Sequence, residues 1–278
     1  MQSFLAADGI KIAYDDQGQG PAILCIPGLT RNMDDFAPVL AQFAGQARII
    51  RIDLRGRGAS GYDPNFANYS VPQEAADVVA LLDHLGLEQA AILGTSRGGL
   101  IAMFLGATQG HRLSGVLLND VGPVLDQSGL DGILTYLGRP APFTTLAQAA
   151  EKLPAFYAPD FANVPDATWR TFAGNLWSEG PNGLELRYDP KLRNAVEALF
   201  VADAPVPDLW PLFDALTAKP LALIRGANSN LLTTQTAQMM QDRALDMLFA
   251  QVPDRGHVPF LDEPESVEIL TRWLEQLS

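Results

Sequence analysis

The first 121 residues alternate between two kinds of segment, and this alternation limits the fold more than any other feature of the chain. "PAILCIPG", "ARIIRIDLRGRGAS" and "AAILGTS" are short apolar runs that end in glycine, proline or a small polar turn. Continuous apolar runs of this length mark strands buried on both faces. "GIKIAY" alternates apolar and polar side chains and reads as a further strand, and "LSGVLLNDVGP" as a strand ending in a turn. Between the strands lie "MDDFAPVLAQFA", "VPQEAADVVALLDHLGL" and "RGGLIAMFLGATQ", which have helical spacing. Pro72 near the start of the second helix and Gly86 near its end suit the two termini. The implied class is α/β: a mostly parallel central sheet with helices on both faces.

From Gly122 to Ala218 the pattern breaks. No good strand is visible there, only helix-like pieces: "LDGILTYLG", "TTLAQAAEKLPAFY", "ATWRTFAGNLW" and "KLRNAVEALF". Strand signals resume at "PLALIRG" and "DMLFAQV", followed by the helices "TTQTAQMMQDRA" and "PESVEILTRWLEQL". The returning strands belong most simply to the first sheet. The expected organisation is therefore one core, residues 1–121 and 218–278, with a helical cap insertion at 122–217. The insertion carries Phe143, Phe156, Tyr157, Phe161, Trp169, Phe172, Trp177 and Phe200. Most of these serve the cap's own core; a few facing a pocket imply a small to medium, largely apolar substrate.

Hydrophobic residues make up 47% of the 278 and charged residues 18%, enough apolar material for a sizeable core. A net charge of −13 argues against nucleic acid and anionic membrane as partners. No apolar run approaches the ~20 residues of a membrane span. "MQSFLAADGIKIAYDD" lacks the basic and apolar regions of a signal peptide, so a cytoplasmic location is expected. The partner expected is a small-molecule substrate, and the oligomeric state is left open. Cys25, alone and inside an apolar run, reads as a buried hydrophobe. No Cys/His cluster has metal-ligand spacing, so neither metal nor cofactor is expected.

Gly94-Thr95-Ser96-Arg97-Gly98 fits G-x-S-x-G between a predicted strand and a predicted helix. A sharp strand-to-helix turn exposes a serine hydroxyl above the sheet edge, and glycines two residues to either side remove side chains that would clash. The helix behind it directs N–H groups at an oxyanion. Of three histidines, His84 and His111 read as solvated or capping residues. His257, in "VPDRGHVPF", follows the last predicted strand and falls at the same carboxyl edge as Ser96.

A Ser96–His257 order on this βα pattern resembles the α/β-hydrolase fold, and the likeness covers nearly the whole chain. "CIPGLTRN", "IDLRGRGAS", "LLNDVGP", "WPLFDAL" and "RGHVPFLDEPE" add to it. The resemblance is to a capped subgroup of cytoplasmic bacterial serine hydrolases. It implies a nucleophile at Ser96, a general base at His257, and oxyanion donors at the backbone N–H groups of Leu29 and Arg97.

The resemblance also implies a carboxylate in the turn after "PLALIRG", yet Asn230 stands at the usual acid position. Three arrangements fit. Asp120, at the end of the strand after the serine, supplies the acid; Asn230 holds His257 sterically in a slower or different reaction; or Asn230 replaces an aspartate through engineering or divergence. Asp254 and Asp203 are weaker acid candidates. The resemblance points to cleavage of a carboxylic ester or lactone through an acyl-enzyme. Hydrolysis of a carbon–carbon bond in a dienoate-type diketone is favoured instead if Arg97 grips a carboxylate. A lyase or ligand-binding protein is favoured if Asn230 has weakened hydrolysis.

Overall fold

The computed structural model describes residues 1–201 and 208–277. Among the described residues there are ten strands: β1 (Gln2–Leu5), β2 (Lys11–Gln17), β3 (Ala22–Ile26), β4 (Arg48–Ile52), β5 (Ala90–Thr95), β6 (Leu113–Asn119), β7 (Trp177–Gly180), β8 (Gly183–Leu186), β9 (Leu221–Gly226) and β10 (Leu248–Val252). Helices are α1 (Ala37–Phe43), α2 (Val71–His84), α3 (Arg97–Gln109), α4 (Gln127–Tyr136), α5 (Leu146–Tyr157), α6 (Asp166–Leu176), α7 (Leu192–Val201), α8 (Trp210–Asp214), α9 (Thr234–Arg243) and α10 (Pro264–Glu275).

Eight strands form one sheet in the order β1-β2-β4-β3-β5-β6-β9-β10. The six from β4 to β10 run parallel, whereas β2 pairs antiparallel with both β1 and β4. This is the expected α/β architecture, with two β1–β2 strands added at one edge. The two-residue period of a strand divides the apolar runs between two cores. Ile23 and Cys25 of β3 pack with Ile49, Leu93, Leu117 and Ile224 against α1 and α10. Leu24 and Ile26 pack with Ile50, Ile92, Leu118 and Leu223 against α2, α3, α8 and α9. Each such side chain contributes roughly 1.5–3 kcal/mol on burial. Cys25 is fully buried and desolvation pushes its thiol pKa up, so it behaves as a small hydrophobe.

Between β6 and β9 the chain runs through α4–α8, but not through helices alone. β7 and β8 form an antiparallel hairpin, contrary to the expectation of no strand in this region. Its sequences, WSEG and GLEL, are too short and too glycine-rich to show a period. Beyond it, the glycine-rich turn after β4 receives the returning chain: Gly58 N–H donates to Arg187 O (2.8 Å) and Asp189 N–H to Gly56 O (2.7 Å). A third apolar cluster joins Leu153 of α5 and Trp169 of α6 to Phe161, and Tyr157, Phe172 and Phe260 pack on it. Asp203 lies outside the described residues, as does the side chain of Phe200.

Candidate active site

Ser96 joins β5 to α3 with φ 51° and ψ −113°, a conformation in which a non-glycine residue is strained. Its N–H donates to Asn119 O at 3.0 Å, which ties the turn to the neighbouring strand. The flanking glycines are required by contact. A methyl group on Gly94 would lie 2.6 Å from the Gly98 carbonyl, and one on Gly98 would run into the Ile26 carbonyl oxygen. The hydroxyl is thereby lifted over the carboxyl ends of the strands, at the N-terminus of α3.

His257 stands in the loop between β10 and α10. Its Nε2 lies 2.9 Å from Ser96 Oγ and its Nδ1 lies 2.7 Å from Asp120 Oδ2. A carboxylate only accepts, so Nδ1 carries the proton and Nε2 accepts from the serine hydroxyl. Glu263 cinches the histidine's loop: its carboxylate accepts from Arg255 Nε (2.9 Å), Phe260 N–H (2.9 Å) and Leu261 N–H (3.0 Å). Asn119 Nδ2 donates to Pro259 O at 3.2 Å and holds the same loop to the end of β6.

Asp120 directly follows β6 and adopts φ 56°. It is fully buried. Oδ1 accepts from Gly226 N–H (2.8 Å), while Oδ2 accepts from Ser229 Oγ (2.6 Å) as well as from His257. The structure thus brings Ser96, His257 and Asp120 into one hydrogen-bonded chain. Asn230 is outside it: the residue is exposed, and its backbone carbonyl accepts from Ser128 Oγ. The turn after β9 meets the site through Ser229, one residue earlier than expected. Asp254 accepts from Asn163 Nδ2 at 2.7 Å, away from the imidazole. His84 stacks on Phe4, and His111 sits exposed in a turn after α3.

Leu29 lies in the loop after β3 and lines the same cavity as Ser96. Arg97 opens α3, so its N–H has no partner within the helix. The Arg97 side chain turns away from both Asp120 and the cavity: Nε donates to Glu74 Oε2 (2.7 Å) and Nη2 to Tyr69 O (3.1 Å). This corrects the idea that it grips a substrate carboxylate. Glu74 is fully buried, and its other oxygen accepts from Arg57 Nη1 (2.6 Å). Arg57 Nε in turn donates to Leu29 O at 2.8 Å. Burial raises the Glu74 carboxyl, but the two guanidinium groups overcome it and hold its pKa below the ordinary value. Neither Glu74 nor Glu263 carried a recognisable signal in the sequence, because each acts through folded contacts.

Above Ser96 and His257 is a cavity of about 190 Å³, with Tyr136, Phe143, Tyr157, Trp169, Phe172 and Trp177 among its lining residues. It is smaller than the ~300–1,000 Å³ pockets that take drug-sized ligands. Among the described residues no group of three or more His, Cys, Asp or Glu side chains is placed to hold a metal ion. Nor is any helix among them long and apolar enough to cross a membrane.

Fold and site geometry together define an α/β-hydrolase, and the chain belongs to the Alpha/beta hydrolase family, whose model matches residues 23–268. It is similar to the 3-hydroxybutyrate-oligomer hydrolase of Cupriavidus necator, at 34% identity over 271 residues, covering 93% of this chain and 91% of the relative. It is also similar to 3-oxoadipate enol-lactonase 2 of Acinetobacter baylyi, at 24% identity, covering 94% and 92%. The crystal structure of an alpha/beta hydrolase from Novosphingobium aromaticivorans superposes with a TM-score of 0.89 at 35% identity, covering 99% of this chain and 97% of that one.

Proposed function

We propose that this hydrolase cleaves a carboxylic ester or lactone of a small to medium, largely apolar substrate through an acyl-enzyme. The observation that carries this reading is the unbroken chain Ser96 Oγ–His257 Nε2–His257 Nδ1–Asp120 Oδ2 at the floor of an aromatic cavity. Ser96 attacks the carbonyl carbon as its proton passes to His257 Nε2. The tetrahedral oxyanion faces the N–H groups of Leu29 and Arg97, and donors of this kind each contribute roughly 3–4 kcal/mol. His257 returns the proton to the leaving alcohol, and a water activated by the same imidazole releases the acid. Asp120 holds the tautomer and faces the imidazolium.

In this reading residues 122–217 form a cap whose aromatic side chains set the size of the acyl compound. The relatives support the bond type: 3-hydroxybutyrate oligomers are joined by esters, and an enol-lactone is a cyclic ester. The carbon–carbon reading loses its motive because Arg97 is held by Glu74. The weakened-hydrolysis reading loses its own because Asp120, not Asn230, stands beside the imidazole.

An alkyl fluorophosphonate with intact-mass readout tests the proposal. One adduct is expected on the wild type and none on Ser96→Ala. A wild type that gains no adduct and leaves 4-nitrophenyl butyrate intact overturns it.

A further inference from the structure

Arg31 stands where the oxyanion loop enters the cavity. Its Cγ lies 3.3 Å from the point a Cβ on Gly28 would occupy, and Ser96 Cβ lies 3.7 Å from the same point. The stem of Arg31 therefore runs beside the nucleophile. Its guanidinium is pinned on two sides. Nε and Nη2 form a bidentate pair with Asp35, at 2.7 and 2.6 Å, and Cζ sits 4.4 Å above the Phe172 ring centroid. Asn175 Nδ2 donates to the same carboxylate at 2.9 Å.

Nη1 is left over. It is buried and has no hydrogen-bond partner. Four buried side-chain nitrogen or oxygen atoms among the described residues share that condition, and of these only Arg31 Nη1 belongs to a residue lining the cavity over Ser96. A buried guanidinium N–H without an acceptor is unfavourable by more than the loss of a neutral hydrogen bond. Such a group calls for an acceptor.

Two phenols line the same cavity, Tyr136 and Tyr157, both within electrostatic reach of Arg31. Tyr157 is partly buried, and burial raises its hydroxyl pKa against the opposing arginine, while Tyr136 is half exposed; both phenols are protonated donors near neutral pH. The cluster offers donors in an otherwise apolar enclosure. The ligand group that matches it is an acceptor-only one, and a guanidinium suits a carboxylate best.

We propose that Arg31, with Tyr136 and Tyr157, forms a subsite for a carboxylate carried by the substrate, so that the preferred esters are those of hydroxy acids with a free carboxyl end. This rests on the ester-hydrolase reading for its kinetic consequence, though not for its binding consequence. Asp35 fixes the fork in place and offsets its charge, so selectivity rests on the one guanidinium nitrogen left without an acceptor.

The experiment compares the ester-linked dimer of 3-hydroxybutyrate as free acid with its methyl ester. For the wild type, kcat/KM is expected to favour the free acid by at least about 30-fold. In Arg31→Met that ratio is expected to fall toward one, mainly through KM, and Arg31→Lys is expected to recover part of it. Taking the ratio within each variant cancels any loss shared by both substrates. A wild type that treats acid and methyl ester alike overturns the proposal, as does a ratio that survives in Arg31→Met. If the wild type cleaves no ester, the functional reading fails on its own. Calorimetric binding of acid and methyl ester to Ser96→Ala then decides the subsite: tighter binding of the acid supports it, and equal binding overturns it.

Discussion

Ser229 Oγ donates a 2.6 Å hydrogen bond to the same Asp120 oxygen that receives His257 Nδ1–H. The turn after β9 thus serves the site with a hydroxyl, while the carboxylate comes from the end of β6. With Gly226 N–H on the other oxygen, Asp120 has three donors and no freedom to rotate.

Asp120→Asn is expected to lower ester kcat by at least about 10²-fold. An amide supplies no charge to the imidazolium and favours the wrong tautomer; in a serine protease the like change costs about 10⁴. Steady-state turnover of 4-nitrophenyl butyrate checks this, and a loss under threefold refutes the role.

Ser229→Ala removes one donor and keeps the other two, so a loss of roughly 3–10-fold in kcat is expected, in line with about 1 kcal/mol for one hydrogen bond. The more demanding test moves the acid. In the Asp120→Asn background, Ser229→Asp is expected to restore at least tenfold of the lost rate, because the new carboxylate stands in the turn that already reaches the site. No recovery, in a variant with wild-type circular dichroism, contradicts this geometry.

Asn230→Asp is expected to be silent, within about twofold in kcat and in KM. The residue is exposed and its side chain has no part in the hydrogen bonds around His257. A strong gain in rate overturns the assignment of Asp120.

Glu74 links both proposed oxyanion donors, through Arg57 to the Leu29 carbonyl and directly to the Arg97 side chain. Glu74→Gln is expected to destabilise the fold by about 3–5 kcal/mol, the usual cost of removing one partner from a buried ion pair. It should also lower kcat at least tenfold. The pH dependence has a definite sign. A carboxyl held low by its partners contributes fully above about 4.5, and that contribution is lost as pH falls through its folded value. The stability gap between wild type and Glu74→Gln should therefore narrow in acid. Urea melts at pH 7 and pH 4 measure it; a gap that widens in acid contradicts the pairing.

Much of the fold was legible because strands β3, β5, β6 and β9 are buried along nearly their whole length and are written as largely apolar runs. β1 was not, since Gln2–Leu5 is an exposed edge strand with little apolar pattern. The β7–β8 hairpin was hidden for a related reason: its stability comes from pairing and from Trp177 packing on Phe143, not from its own sequence. At the site, Ser96 and His257 stood out through local motif and chain order, and Asp120 through its place at a strand end. Ser229, Glu74, Glu263 and Arg31 did not. Their hydrogen-bond partners lie from 2 to 109 residues away, so no single local pattern marks them.

Gly98 rests on the carbonyl of Ile26, and three residues beyond Ile26 comes Leu29. The turn that carries Arg97 therefore packs on the end of the strand that leads into Leu29. The aromatic residues overhead come from the chain between β6 and β9 and from the loop before α10. Substitutions in that upper layer can retune which molecules are admitted while the reacting centre stays in register, so catalytic competence and substrate choice are free to evolve on separate schedules.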